Sequence, residues 1–189
     1  MAGSDFKEGY ALVMQGHKKG FINEKGEISI GLEYDDASSF SEGLAKAAQN
    51  RYYGFIDQKG QVVIPFIYEY ADDFINGIAR VKKNNRFGFI DKNGKAVIPF
   101  IYTEAANFSE GLVAVKTNYW GYVDATGKEV IKLKYESAFP FVKEEAHVKL
   151  NKKMIIINKK GKFLREEKGE EEEEREREEL ERKVKMQNH

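Results

Sequence analysis

Three aspartates recur at one position of the sequence pattern and are the side chains best suited to chemistry. Asp57, Asp91 and Asp124 each stand three residues before a glycine. Near-equal spacing would place them along one edge of the molecule, where carboxylates can bind a cation. The same Asp-x-x-Gly pattern is typical of a reverse turn whose backbone N–H groups bond the carboxylate. No EF-hand or RTX calcium pattern is present, so we predict turns and no metal site.

Other candidate catalytic residues do not form a recognisable set. His17, His147 and His189 fall at different offsets of the repeat described below, so they predict no metal triad. Four serines that lie close to Phe40 or Phe108 have no paired histidine in a known motif. The Gly-x-Ser-x-Gly motif and the P-loop are also absent. These serines are Ser38, Ser39, Ser41 and Ser109. The absence of cysteine excludes disulfides, thiolate chemistry and cysteine-based zinc sites. We therefore predict no enzyme and no cofactor.

A sequence repeat must position all of these side chains. Its five copies begin at Phe6, Phe40, Phe74, Phe108 and Phe141, with spacings of 34, 34, 34 and 33 residues. Copies one to four carry Phe-x-x-Gly and Tyr-x-x-Ala. Copies two to four carry an aromatic-Gly-aromatic-aliphatic-Asp segment, and copies two and three carry Val-Ile-Pro. Copies one to four carry glycine at three fixed places, and each glycine inside a helix would cost roughly 1 kcal/mol. A tetratricopeptide array of helices is thus excluded.

The short β-branched and aromatic segments between turn residues predict strands. In the second copy we expect strands over about 44–49, 53–57 and 61–65, with an asparagine turn and an Asp-x-x-Gly turn between them. Pro65 and Pro99 are expected to end the third strand. Tyr68, Ala71 and Phe74 lie three residues apart, which predicts one or two helical turns laid over the sheet.

Alternation along the first two strands predicts the core. Small residues such as Ala45 and Ala47 share one face of the first strand, so we expect a neighbouring copy to pack closely there. Phe55, Phe89 and Tyr122 supply the bulk on the second strand.

These motifs resemble the WG-repeat family, named for Trp-Gly at the head of the second strand, over residues 6–163. Only Trp120 keeps the tryptophan, and Tyr53 and Phe87 replace it with another aromatic residue. Lys19 and Met154 are not aromatic at this position, and the fifth copy also replaces the glycine. The resemblance implies a β-repeat module and no single catalytic activity.

Residues 165–189 differ from the repeat in composition, with 11 Glu against 7 Lys and Arg. Many Glu residues precede an Arg or Lys by four, the favourable order for a solvated helix. We predict a charged helix that is either an exposed spacer or a docking element. Its candidate docking residues are Arg175, Arg177, Leu180 and Val184.

Together these patterns predict an all-β chain. The expected architecture is five tandem three-stranded β-meander repeats in an open twisted array, with a five-bladed propeller as the alternative, followed by a charged α-helix. The expected boundaries are an N-terminal leader over 1–5, a repeat domain over 6–164 and a tail over 165–189.

Composition limits the partners. The formal net charge is zero, so nucleic-acid binding is not expected. No apolar run is long enough to span a membrane. The first residues contain no apolar signal segment, which favours a cytoplasmic location. If these residues replace a signal peptide, export is expected instead.

The functional prediction is a non-catalytic scaffold that binds other proteins, as a subunit or adaptor of a larger assembly. Its oligomeric state is left open. The alternative is a module that binds glycans or cell-envelope polymers. The candidate interaction surface for either role is the aromatic cluster at the start of the second strands: Tyr52, Tyr53, Phe87, Tyr119 and Trp120.

Overall fold

The computed structural model describes residues 2–167 and 182–183. Within them the three longer strands of each repeat copy form an antiparallel sheet with a two-residue strand that precedes that copy in the sequence. In every sheet the strands lie in chain order. The first sheet contains β1 (Ala2–Gly3), β2 (Tyr10–Gln15), β3 (Lys18–Asn23) and β4 (Ile28–Tyr34). The second contains β5 (Asp36–Ala37), β6 (Leu44–Gln49), β7 (Tyr52–Asp57) and β8 (Val62–Tyr68). The third contains β9 (Tyr70–Ala71), β10 (Ile78–Lys83), β11 (Arg86–Asp91) and β12 (Ala96–Tyr102).

The last two sheets follow the same plan. The fourth contains β13 (Glu104–Ala105), β14 (Leu112–Lys116), β15 (Trp120–Asp124) and β16 (Glu129–Tyr135). The fifth contains β17 (Ser137–Ala138), β18 (Glu145–Leu150), β19 (Lys153–Asn158) and β20 (Phe163–Glu166). The all-β repeat prediction is confirmed. β1 lies in the expected leader, and β20 runs past Leu164, so the fifth sheet also uses Arg165 and Glu166.

The connector between copies is extended, and the predicted helical turns over Tyr68, Ala71 and Phe74 are wrong. Tyr70 and Ala71 pair with Lys82 and Val81 as a fourth, two-residue strand. Pairing with the first long strand of the next copy satisfies the backbone of the connector without a helix. The three-residue spacing arises from a short strand followed by a turn.

The third strand also continues beyond the prolines that were expected to end it. Pro65 lies inside β8 at a bulge, where the register passes from Phe55–Ile64 to Tyr53–Tyr68. Because β8 is an edge strand, a residue without an N–H is tolerated there.

This bulge explains the glycine that follows the Trp position. A Cβ on Gly54 would lie 2.5 Å from the carbonyl oxygen of Ile64. In the fifth copy the register runs without a shift from Ile155–Glu166 to Ile156–Arg165. No bulge lies opposite Ile155 in that copy, which is consistent with a larger residue being tolerated there.

The Asp-x-x-Gly turns form as predicted. Asp57 Oδ1 accepts hydrogen bonds from the N–H groups of Lys59 (2.9 Å) and Gln61 (2.8 Å). Gly60 takes a φ of 77°, a conformation that is costly for residues with a Cβ. Asp91 and Asp124 make the same contacts in their own turns.

The five sheets stack face to face. The bulky face of the second sheet, with Phe55 and Ile64, packs against Ala79 and Val81 of the third. The other three apolar clusters join copies one and two, three and four, and four and five in the same way. Within residues 2–167 no cluster joins the first copy to the fifth, and no sheet closes into a barrel. The array is therefore open, and the predicted packing of a neighbour on the small-residue face is confirmed.

The outward face of the fifth sheet carries charged contacts in place of this packing. Arg165 donates two hydrogen bonds to the carboxylate of Glu145, and His147 Nδ1 lies 3.1 Å from Glu167. These polar groups occupy positions that are mostly apolar in the inner copies, as is usual for a terminal repeat.

The candidate docking residues Arg175, Arg177, Leu180 and Val184 of the predicted C-terminal helix lie outside the described residues. Only Arg182 and Lys183 of that helix are described, and their backbone is helical. No helix in the described part of the chain is long and apolar enough to cross a membrane.

Two alanine substitutions should separate close approach from backbone conformation. Gly54→Ala should lower the free energy of unfolding by about 3 kcal/mol, because its Cβ would collide with the Ile64 carbonyl. Gly43→Ala, at a φ of 86° and with no neighbour within 4 Å of the added Cβ, should cost only about 1 kcal/mol. Urea unfolding measures both, and equal losses would contradict the role of the bulge.

Candidate interaction surface

The residues at the Trp position are half-buried members of the packing between sheets. Tyr53 packs against the cluster between copies two and three, Phe87 against that between three and four, and Trp120 against that between four and five. Each lies on the same face of its strand as the buried Phe55, Phe89 or Tyr122. Part of each ring is therefore buried in the packing between neighbouring copies.

Basic side chains lie over these rings. Lys46 lies 5.8 Å from the centre of the Tyr53 ring, Lys82 lies 5.5 Å from that of Phe87, and Lys116 lies 5.8 Å from that of Trp120. Each lysine comes from the first long strand of the same copy. Cation–π contacts of this kind stabilise the ring and occupy a face that a sugar would need for stacking.

Tyr52 and Tyr119 differ from these three residues. They immediately precede the Trp position and are 48% and 54% exposed. Among the described residues no ring contact joins any two of the five predicted aromatics. The cluster thus divides into three packing residues and two isolated exposed tyrosines.

Carboxylates of the connectors join one copy to the next beside these rings. Asp36 lies 2.6 Å from Lys19 Nζ of the first copy and accepts a hydrogen bond from the Tyr53 hydroxyl of the second at 3.2 Å. Partial burial raises the pKa of Asp36, but Lys19 and the two hydrogen-bond donors outweigh it and leave the pKa below its usual value. Asp36 thus remains charged and links two copies.

The connector residue just before Asp36, and its equivalents in the other copies, cap the first turn of the copy that follows. Asp35 accepts the N–H of Asn50 at 2.8 Å, Glu69 that of Asn85 at 3.2 Å and Glu136 that of Lys152 at 3.0 Å. In the fourth copy, whose turn is one residue shorter, Thr103 instead donates to the carbonyls of Lys116 and Thr117. The connector residue therefore holds the first turn of the following copy in place.

A second set of carboxylates forms rungs between copies, and we call each a glutamate rung. Glu42, in the Phe-x-x-Gly turn of the second copy, accepts the N–H of Gly77 in the third at 2.9 Å and lies 3.2 Å from Lys92. Glu8 makes the equivalent contacts with Gly43 and Gln58. Glu110 makes them with Glu144 and Lys159.

The outer long edge of the stack exposes apolar side chains. Strands β4, β8, β12, β16 and β20 each have a partner on one side only. All five carry exposed apolar residues, which on β20 are Phe163 and Leu164. We call the exposed aliphatic residues of the other four strands the outer-edge row: Ile28, Val62, Val63, Ile67, Ile101 and Val130. In β8 only Ile64 and Tyr68 are buried. A repeated row of exposed apolar residues is typical of an interaction surface.

The sequence analysis did not identify this row. Val62, Val63 and Ile64 form a continuous β-branched run that resembles a buried strand. The neighbouring proline was the available signal, because a proline inside a sheet is confined to an edge strand. An edge position predicts that part of the run faces solvent.

Several side chains that the sequence suggests as possible metal ligands lie at turns. The repeated aspartates Asp57, Asp91 and Asp124 bond their own turns, and His17 is exposed in the turn between β2 and β3. Within the described ranges no three His, Asp or Glu side chains converge as a metal site would require.

Truncating neighbouring aromatics should distinguish packing residues from free ones. Trp120→Ala should reduce the free energy of unfolding by about 2–3 kcal/mol, because it removes half-buried packing between copies four and five. Tyr119→Ala should change it by no more than about 0.5 kcal/mol, because its side chain is exposed. Denaturant titration gives both values, and a large loss for Tyr119→Ala would show that its ring packs in solution.

The glutamate rungs should make stability depend on pH. Burial raises the pKa of Glu42, but the Gly77 N–H and Lys92 outweigh it and leave the pKa lowered. Its contribution is thus complete above the unfolded-state pKa, about 4.3, and is lost as pH falls through the folded-state pKa. Glu42→Gln should lower the urea midpoint at pH 7 and reduce its fall below about pH 4. Glu24→Gln, in an exposed turn, is the control and should leave the fall of the urea midpoint at low pH unchanged.

Known proteins resemble parts of this chain in sequence or in structure. A solved structure named Kluyveromyces lactis Hsv2 aligns with 10% sequence identity and a TM-score of 0.49, covering 84% of this chain and 60% of that chain. The chain thus spans about 60% of the length of that structure. No curated protein sequence matches the chain. The family model described as WG containing repeat matches residues 20–52, 53–87, 87–119 and 120–153. Since these matches cover well over half of the sequence, the chain belongs to the WG containing repeat family.

Proposed function

We propose that this chain is a non-catalytic scaffold that binds other proteins through its outer-edge row. The observation that carries the proposal is the repetition of exposed aliphatic side chains on successive edge strands. Val62 is 53% exposed and Ile101 52% exposed, although both belong to strands whose other face is buried. Exposed apolar side chains of this kind gain free energy when a partner removes them from water.

The edge strands favour recognition by side chains over the addition of a partner strand. Pro65 and Pro99 are exposed on β8 and β12 and have no N–H to offer. Prolines on an edge block continuous pairing with another strand. The partner surface is therefore expected to be apolar and to lie against the row, and it need not be an extended strand.

The contacts around the aromatic rings also support a structural role. Lys46, Lys82 and Lys116 occupy ring faces at the Trp position, and the aspartates with candidate chemistry hold turns. Stacked repeats that offer one long surface are commonly used to bind other proteins.

A charged substitution in the row should remove partners without unfolding the chain. Val62→Lys combined with Ile101→Lys should abolish capture of partner proteins from a lysate of the native organism, read by mass spectrometry. The control combines Gln61→Lys with Asn93→Lys, which adds the same charge at exposed neighbouring positions. The control should retain the partners, and both variants should unfold at the urea midpoint of the unchanged protein within error.

Partners that persist in the Val62→Lys, Ile101→Lys variant would contradict the proposal. If soluble glycans then also protected Trp120 fluorescence from quenching, a glycan-binding role would be favoured.

A further inference from the structure

The third and fourth copies meet without a glutamate rung. Asn76 stands where Glu8, Glu42 and Glu110 stand in copies one, two and four. Ala125 stands where Gln58, Lys92 and Lys159 complete the rung. Both sides of the contact are therefore missing at one interface, while the other three interfaces retain them.

This loss leaves a backbone donor unsatisfied. Gly43, Gly77 and Glu144 each donate their N–H to the rung carboxylate of the preceding copy. Gly111 occupies the same position in the fourth copy, and its N–H has no acceptor among the described residues. Gly111 is exposed and occupies the repeat position whose N–H donates to a carboxylate at the other three interfaces.

A cleft of about 400 Å³ opens at the same interface. Ile78 and Phe89 line it from the third copy, and Phe108 and Ala125 from the fourth. Phe40, Phe74 and Phe141, the equivalents of Phe108, are no more than 2% exposed, whereas Phe108 is only half-buried. The ring of Phe108 meets that of Phe89 edge-on at 69°, and the equivalent pairs meet at 46–58°. Phe108 is thus more accessible than its equivalents and forms an apolar wall of the cleft.

Charge at the cleft is negative. Asp72, Asp73 and Glu110 line it, and Arg80 is the one cation among its lining residues. Arg80 is already paired with Asp72 at 2.8 Å. Asp73 Oδ1 accepts a hydrogen bond from the Ser38 hydroxyl at 2.5 Å and lies 3.8 Å from Lys46. Its Oδ2 makes no hydrogen bond or ion pair among the described residues and is open to a closer cation. An external carboxylate would be repelled here, so the acceptor for the Gly111 N–H should be an uncharged carbonyl.

We propose that this cleft binds a peptide segment of a partner protein in which a Lys or Arg adjoins an apolar residue. The peptide carbonyl accepts the Gly111 N–H, the apolar side chain packs on Ile78 and Phe108, and the basic side chain pairs with Asp73. The site is separate from the outer-edge row, and the proposal stands without it.

Restoring the missing rung tests the proposal with a variant that should not impair folding. Asn76→Glu combined with Ala125→Lys rebuilds the contact seen at Glu42, and the Asn76 φ of 53° matches the 52–54° of the three rung glutamates. The variant leaves the net charge unchanged. The control combines Gln58→Lys with Asn118→Glu, which adds the same two charges outside the cleft.

The probe is an array of acetylated, amidated hexapeptides of Gly and Ser whose two central positions carry every pair of amino acids. The full-length protein should enrich pairs of one basic and one apolar residue at least tenfold over Gly-Gly. The control should do the same. The Asn76→Glu, Ala125→Lys variant should lose the enrichment while its urea midpoint is equal to or above that of the unchanged protein. No enrichment in the unchanged protein, or equal enrichment in the rebuilt variant, would overturn the proposal.

Discussion

The structure depends on the packing of a bulky sheet face against a small-residue face of the next sheet. Phe55 and its equivalents are fully buried only because Ala79, Val81 and the corresponding small residues let the following sheet approach. Neither face could be stable alone in a four-stranded sheet of this size. Strand bounds, connector path and bulge all serve this contact, and the polar links between copies lie at its margins.

The margins decide how the copies differ. Asp36, the turn-capping acids and the glutamate rungs are exposed or half-buried, so each contributes modestly. Their arrangement nevertheless fixes how one copy sits on the next. Where a rung is absent, the aromatic packing remains but Phe108 becomes accessible. The copies of this array therefore differ mainly in the links between them, and they share the aromatic packing of the core.

Most of the fold could be predicted from the sequence because the repeat presents each strand several times. The strands of the second copy, the Asp-x-x-Gly turns and the packing of Ala45 and Ala47 on a neighbour follow from local patterns. The extended connector could not be predicted, because the spacing of Tyr68, Ala71 and Phe74 is compatible with both a helical and an extended backbone. The backbone is extended because it pairs with the first long strand of the next copy, such as β10. The rungs and the outer-edge row depend on the distance and direction between copies, which local patterns do not contain. The aromatic cluster was assembled from residues that alternate between faces, so adjacent positions such as Tyr119 and Trp120 lie in different environments.

The missing rung also affects the cooperativity of the array. Each copy contacts only its sequence neighbours, so the interfaces behave as couplings in a linear chain. Uneven coupling divides such a chain at its weakest interface. The first three copies and the last two then form two blocks, and thermal opening should separate these blocks before either one melts.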